Sequence, residues 1–185
     1  MMRISGGEAK GRALKFPSRS TQRPTTDFLR EALFNLLGSP ADQFVLDLFA
    51  GSGSVGLEAA SRQAKKVAFV EKSKYLSEII HENVSLCGYS EQCQVIHADV
   101  RSALRDLYGE NCRFDVIFAD PPYHQGFIGK TLSALNEYPV LQKEGIIVFQ
   151  HSVREPIKTL PDGWSVADQR KYGDNLLTFI RVESA

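Results

Sequence analysis

The chain has 185 residues, 43% hydrophobic and 24% charged, and its 22 basic and 22 acidic side chains cancel. That length accommodates one domain with a sizeable core, and with no signal-peptide pattern or long apolar run, secretion and membrane insertion are not expected. A formal charge of zero leaves a nucleic-acid partner undecided, so the distribution of charge carries more information than its sum. Cys87, Cys93 and Cys112 are odd in number and lack C-x-x-C spacing. They read as reduced structural thiols of a cytoplasmic protein, and no metal site is expected.

Residues 1–25 are expected to form an N-terminal basic β-hairpin arm outside the main core. Short segments, Arg3-Ile4-Ser5 and Arg12 to Phe16, flank Gly6-Gly7 and Gly11. Arg3, Lys10, Arg12, Lys15, Arg19 and Arg23 are opposed there only by Glu8. Such clustering points to a polyanion-facing surface, with a solvated terminal segment as the alternative. Ser18 to Pro24 reads as a loop. The second unit, residues 26–185, opens with Phe28, Leu29, Ala32, Leu33, Leu36 and Leu37 at helical spacing. Thr26 or Asp27 serves as N-cap and Gly38 as the stop.

From Phe44 strands and helices alternate. Strands are expected at Phe44–Phe49, Lys66–Glu71, Gln94–Ala98, Phe114–Ala119 and Gly145–Gln150. Helices are expected at Val55–Arg62, from about Leu76 to Cys87, at Val100–Tyr108 and at Phe127–Glu137. This alternation with apolar strands predicts an α/β fold, a mostly parallel seven-stranded sheet covered by helices on both faces. Trp164–Tyr172 and Leu176–Val182, joined by Gly173-Asp174-Asn175, predict a C-terminal antiparallel hairpin closing one edge.

In such a sheet ligands bind beyond the carboxyl ends of the strands. The first strand ends at Asp47 and a glycine turn, with Gly51, Gly53 and Gly56 at G-x-G-x-x-G spacing. The triplet alone is a weak sign of a nucleotide-like ligand. The second strand ends at Glu71, about twenty residues after Gly51, where an acid can bond ribose hydroxyls. The third ends at Asp99, which is equally suited to capping the next helix. The fourth ends in Asp120-Pro121-Pro122-Tyr123. Paired prolines remove two backbone donors and stiffen the turn. That leaves a carboxylate and carbonyls as acceptors beside an aromatic ring, which suits a planar group bearing an exocyclic amine.

These motifs resemble class I S-adenosylmethionine-dependent amino-methyltransferases. Arg23-Pro-Thr-Thr-Asp27, Arg30-Glu-Ala-Leu-Phe-Asn35, Gly56 to Arg62 and Lys171-Tyr-Gly-Asp174 narrow the resemblance to the bacterial 16S ribosomal RNA guanine-N2 methyltransferase family, over nearly the whole chain. The resemblance implies S-adenosylmethionine at Asp47, Phe49, Gly51, Gly53, Glu71, Asp99 and Val100. It implies a catalytic set of Asp120, Pro121, Pro122 and Tyr123, without a metal. Arg3, Lys10, Arg12, Arg23 and Thr25 would face the substrate, 16S rRNA within an assembling or assembled 30S subunit. Three rival readings stand beside it. One is methylation of adenine N6 or another amine in DNA or RNA. The others are a nicotinamide-dependent oxidoreductase and a non-catalytic RNA-binding module.

Overall fold

A computed structural model of the chain describes residues 2–17 and 26–183. Twelve elements follow one another: α1 (Asp27–Leu37), β1 (Phe44–Leu48), α2 (Ser54–Ser61), β2 (Lys66–Glu71), α3 (Lys74–Cys87), β3 (Cys93–His97), α4 (Val100–Gly109), β4 (Phe114–Ala119), α5 (Phe127–Glu137), β5 (Leu141–Ser152), β6 (Trp164–Tyr172) and β7 (Asn175–Val182). The strands form one sheet of order β3-β2-β1-β4-β5-β7-β6. The first five are parallel, and β7 runs antiparallel to both β5 and β6. The α/β sheet and its terminal hairpin are those expected from the sequence.

Alternating side chains on each strand supply two cores. Val45, Val67, Phe69, Val116 and Phe118 face α1, α2 and α3, whereas Leu46, Leu48, Val70, Ile117 and Phe149 face α4 and α5. Helix starts follow local chemistry. Thr26 Oγ1 accepts from Leu29 N at the head of α1, and Ser73 and Asp99 cap α3 and α4 in the same way. Strand β5 begins at Leu141 rather than at the expected Gly145. Its first residues are mostly exposed, Glu144 has φ 66°, and the register against β4 shifts there. These features interrupt the alternation on which a sequence reading depends.

The N-terminal arm departs from expectation. It forms a hairpin-like turn, bridging Arg3 to Ala13, but it packs into the core instead of lying outside it. Met2, Ile4, Ala9 and Leu14 are buried with the side chains of α1, α2 and α3. The backbone of the arm docks on the end of α2, where Glu8 N donates to Ser61 O at 2.8 Å and Ala9 N to Ser61 Oγ at 2.9 Å. A Cβ on Gly7 would lie 1.9 Å from Ser61 O, so only glycine permits this approach.

Beneath the arm, Glu58 and Arg30 are both 0% exposed. Glu58 accepts from Ser5 N at 2.8 Å, Ser5 Oγ at 2.9 Å and Arg62 Nε at 3.0 Å, and lies 3.6 Å from Arg30 Nε. Arg30 also donates to Arg3 O at 2.5 Å and to Asp27 at 2.8 Å. One buried carboxylate thus joins the arm, α1 and α2. Removing one partner of such a group strands buried charge. We therefore expect Glu58→Ala to lower unfolding free energy by about 3–5 kcal/mol in a denaturant titration; a loss below about 1 kcal/mol would show that the cluster holds nothing together.

Candidate active site

Strand β1 ends in a turn with an unusual run of left-handed residues. Phe49, Gly51 and Gly53 have φ of 62°, 59° and 80°. Phe49 takes this conformation without being glycine, and its ring rests edge-on against Phe127 at 5.9 Å. Gly56 has a different reason to be glycine. A Cβ there would lie 2.3 Å from the Phe69 ring, so its absence lets α2 lie close on the sheet.

The amides of the turn are held by the chain's own carboxylates. Asp47 Oδ2 accepts from Gly56 N at 2.9 Å. Glu71 accepts from Gly51 N and from Ser73 N, each at 2.8 Å. A dinucleotide pyrophosphate would need such N–H groups free and the surroundings neutral or positive. Here the Gly51 and Gly56 amides are occupied, and the carboxyl groups of Glu71 and Asp120 stand near the turn. Asp47 is 2% exposed. Burial pushes its pKa up to about 8 against the lowering effect of the Gly56 amide, and the neighbouring Asp120 and Glu71 add to the rise.

A cleft of about 1350 Å³ opens between this turn and the end of β4. Phe49, Gly51, Glu71, Asp99 and Val100 line it on one side, and Asp120, Pro121, Pro122 and Tyr123 on the other. Asp47 and Gly53 are buried behind the wall. Asp99 bonds Ser102 N and Oγ as the cap of α4, and these bonds hold its carboxyl below the usual range. Phe16 and Pro17 of the arm, Leu76 of α3, and Phe127 and Lys130 of α5 also line it, as do Lys72 and Arg101. Sequence reasoning did not single these out, because their approach to the strand ends depends on tertiary packing.

The Asp120-Pro121-Pro122-Tyr123 turn is held by residues distant in sequence. Gln150 Nε2 donates to Asp120 Oδ2 at 3.1 Å. The Tyr123 hydroxyl donates to Asn175 Oδ1 at 2.9 Å, leaving the ring 38% exposed at the cleft. His124 N donates to Glu155 Oε2 at 2.7 Å. Glu155 O in turn accepts from His151 Nδ1 at 3.0 Å, and His151 Nε2 faces Thr178 Oγ1 at 2.8 Å. His151 is fully buried, which pushes its pKa down, so the neutral ring carries its proton on Nδ1 toward the carbonyl. Burial likewise pushes the Cys93 thiol up to about 12, keeping it protonated.

The basic residues of the arm do not line this cleft. Arg3 donates to Gly11 O at 2.7 Å, Arg12 to the Leu86 carbonyl, and Lys15 pairs with Glu82 at 2.8 Å; Lys10 is exposed. Arg23 and Thr25 lie outside the described residues. Among the described residues no cluster of three or more His, Cys, Asp or Glu side chains forms a metal-holding group.

The buried acid behind the turn has a measurable consequence. A carboxyl with a folded pKa above its unfolded value contributes stability in its protonated form, fully present below pH 3.8 and lost as pH rises through about 8. An asparagine side chain in its place could still accept from Gly56 but would not titrate. Raising pH from 5 to 8 should therefore destabilise the parent by roughly 1–4 kcal/mol more than Asp47→Asn. Parallel stability–pH curves for the two proteins would exclude this account.

The sheet order and helix placement are those of the class I methyltransferase fold. Precorrin-6y C5,15-methyltransferase from Geobacter metallireducens GS-15 shares that fold, with a TM-score of 0.65 at 18% identity over 90% of this chain and 93% of the other. A solved hypothetical protein from Thermus thermophilus matches over 100% of both chains with a TM-score of 0.84 and 34% identity. Ribosomal RNA small subunit methyltransferase D of Haemophilus influenzae is 36% identical over 174 residues, covering 93% of this chain and 89% of the relative. Its Escherichia coli namesake is 32% identical over 173 residues, covering 93% and 85%. The family model described as "Conserved hypothetical protein 95" matches residues 2–181. The chain thus belongs to the Conserved hypothetical protein 95 family, that of the ribosomal RNA small subunit methyltransferase D proteins.

Proposed function

We propose that this protein transfers a methyl group from S-adenosylmethionine to the exocyclic N2 of a specific guanine in 16S ribosomal RNA of the small subunit, in the cytoplasm. The observation that carries this reading is the Asp120-Pro121-Pro122-Tyr123 turn facing an acidic glycine turn across one cleft. Its volume of about 1350 Å³ exceeds the roughly 300–1,000 Å³ of a small-ligand site, so a cofactor and a base fit together. The cofactor side suits a cation better than a pyrophosphate. Glu71 keeps lone pairs for a ribose diol after accepting two amides, while Phe49, Leu76 and Val100 offer apolar surface for an adenine.

Bound there, S-adenosylmethionine supplies an electrophilic methyl group on a sulfonium. The chain's own residues do the rest. Asp120 and the Pro121 carbonyl accept N–H bonds from the target amine, which turns its lone pair toward the methyl carbon. Asp120 also offers a base for the proton that nitrogen sheds. Tyr123 presents a ring face on which the unstacked base can lie, with its hydroxyl tied back to Asn175. The family relationship supports ribosomal RNA as substrate, through the activity named for the relatives. Arg3, Lys10 and Arg12 would then meet RNA beyond the cleft, outside the reacting centre, and Arg23 and Thr25 would contribute further substrate contacts.

Asp120→Ala should reduce transfer of labelled methyl to ribosomal RNA or small subunits by at least ~100-fold, the scale of losing one oriented catalytic group, with cofactor affinity in calorimetry within a few-fold of the parent. Equal loss of both would remove Asp120 from the chemistry. Mapping of the product should find N2-methylguanosine at one 16S position; N6-methyladenosine would instead support the adenine reading. In melting experiments S-adenosylmethionine should stabilise the protein and nicotinamide dinucleotides should not. Deleting the arm is a poor test of RNA contact, since it removes core side chains. Lys10→Glu, at an exposed position, should weaken RNA binding several-fold with an unchanged melting temperature, and unaltered RNA affinity would exclude Lys10 from the substrate surface.

A further inference from the structure

Gln150 lies in the interior of β5, opposite Leu177 of β7, with 4% of its surface exposed. The strand residues before it, Val148 and Phe149, are wholly buried and apolar. An aliphatic side chain would suit this position. Instead the chain places an amide here whose Nε2 meets Asp120 Oδ2 at 3.1 Å, while Oε1 is buried with no hydrogen-bond partner among the described residues. Buried amides usually satisfy both ends, so a half-satisfied one is an exception that calls for a reason. Packing supplies none. The N–H offered to Asp120 does.

A carboxylate on a short side chain has a broad, roughly two-fold torsion about its last bond, so nothing intrinsic fixes the plane of Asp120. In a transfer reaction that plane sets the direction in which the amine's N–H bonds, and hence its lone pair, must point. We propose that Gln150 is a positioning residue for methyl transfer, its amide locking the Asp120 carboxylate plane from the rigid centre of the sheet. The assignment rests on the reading of Asp120 as the acceptor of the target amine. Gln150 touches neither base nor cofactor in this role; it acts through Asp120.

Two substitutions separate positioning from packing. Gln150→Leu fills similar space without the N–H. It should lower kcat for methyl transfer to small ribosomal subunits at least ~10-fold, as loss of orientation at a reacting centre does, with cofactor affinity within two-fold and a melting temperature equal to or above the parent's. Gln150→Glu places a second carboxyl about 3 Å from the first, which strongly disfavours ionising both. With one proton shared, the introduced carboxyl can donate to Asp120. As that proton leaves, the two charges repel. Asp47, which lies near Asp120 and titrates at about 8, is common to both proteins, so the kcat of this variant should fall as pH rises along a limb additional to any that Asp47 gives the parent.

A Gln150→Leu protein within two-fold of the parent in kcat, together with a Gln150→Glu pH profile superimposing on the parent's, would overturn the proposal. Asp120→Ala distinguishes the two levels of the argument. Retained transfer in that variant would remove the role of Asp120 and that of Gln150 with it. Abolished transfer, beside Gln150 variants that match the parent, would overturn the role of Gln150 alone.

Discussion

A carboxylate sealed from water needs compensation from every side, and Glu58 finds it in two arginines and in the amide and hydroxyl of Ser5. That requirement organises the first third of the molecule. The arm must fold back over α2 to supply Ser5, and α1 must present Arg30 inward, where it also holds the Arg3 carbonyl. Buried ion pairs often add little net stability compared with apolar packing. Their effect here is geometric, because the partners come from three separate segments and only one arrangement satisfies them all. The arm is thereby aimed so that Phe16 and Pro17 arrive at the rim of the cleft.

A second constraint operates at the carboxyl edge of the sheet. A glycine turn leading into a helix ordinarily offers free amides and a positive dipole to a phosphate. In this protein Asp47 and Glu71 occupy those amides, and Asp120 adds negative charge nearby. The same spacing of glycines therefore serves opposite electrostatic ends in different folds. What distinguishes them is the acids around the turn. This is why the glycine triplet is weak on its own, and why the strand-end carboxylates are informative as a set.

Much of the architecture is legible in the sequence because it depends on local periodicity. Two-sided apolar strands, helical spacing after Thr26 and the Gly173-Asp174-Asn175 turn each point directly to their elements. The strand-end residues are legible as well, since topology alone brings them to one edge. The arm is not, for a physical reason. Its glycines and basic residues resemble a solvated tail, while the contact that buries it, Ser5 to Glu58, spans 53 residues. Gln150 and Glu155 are hidden in the same way, since they reach the Asp120 turn from distant segments and carry no local motif, and Asn175 is legible as a turn residue but not as the partner of Tyr123.

The order of the strands has a consequence for how the molecule is made. Strand β7 is the last element in the chain, yet it lies between β5 and β6. It also carries Thr178, Asn175 and the partner of Gln150, all of which secure the end of β4 directly or through one or two neighbours. Because β7 follows β6 in the chain, Asn175 and Thr178 are synthesised after every residue of the glycine turn, so the proline turn cannot acquire those partners until β7 has been made. The glycine turn asks nothing of that strand, since Asp47 and Glu71 hold its amides.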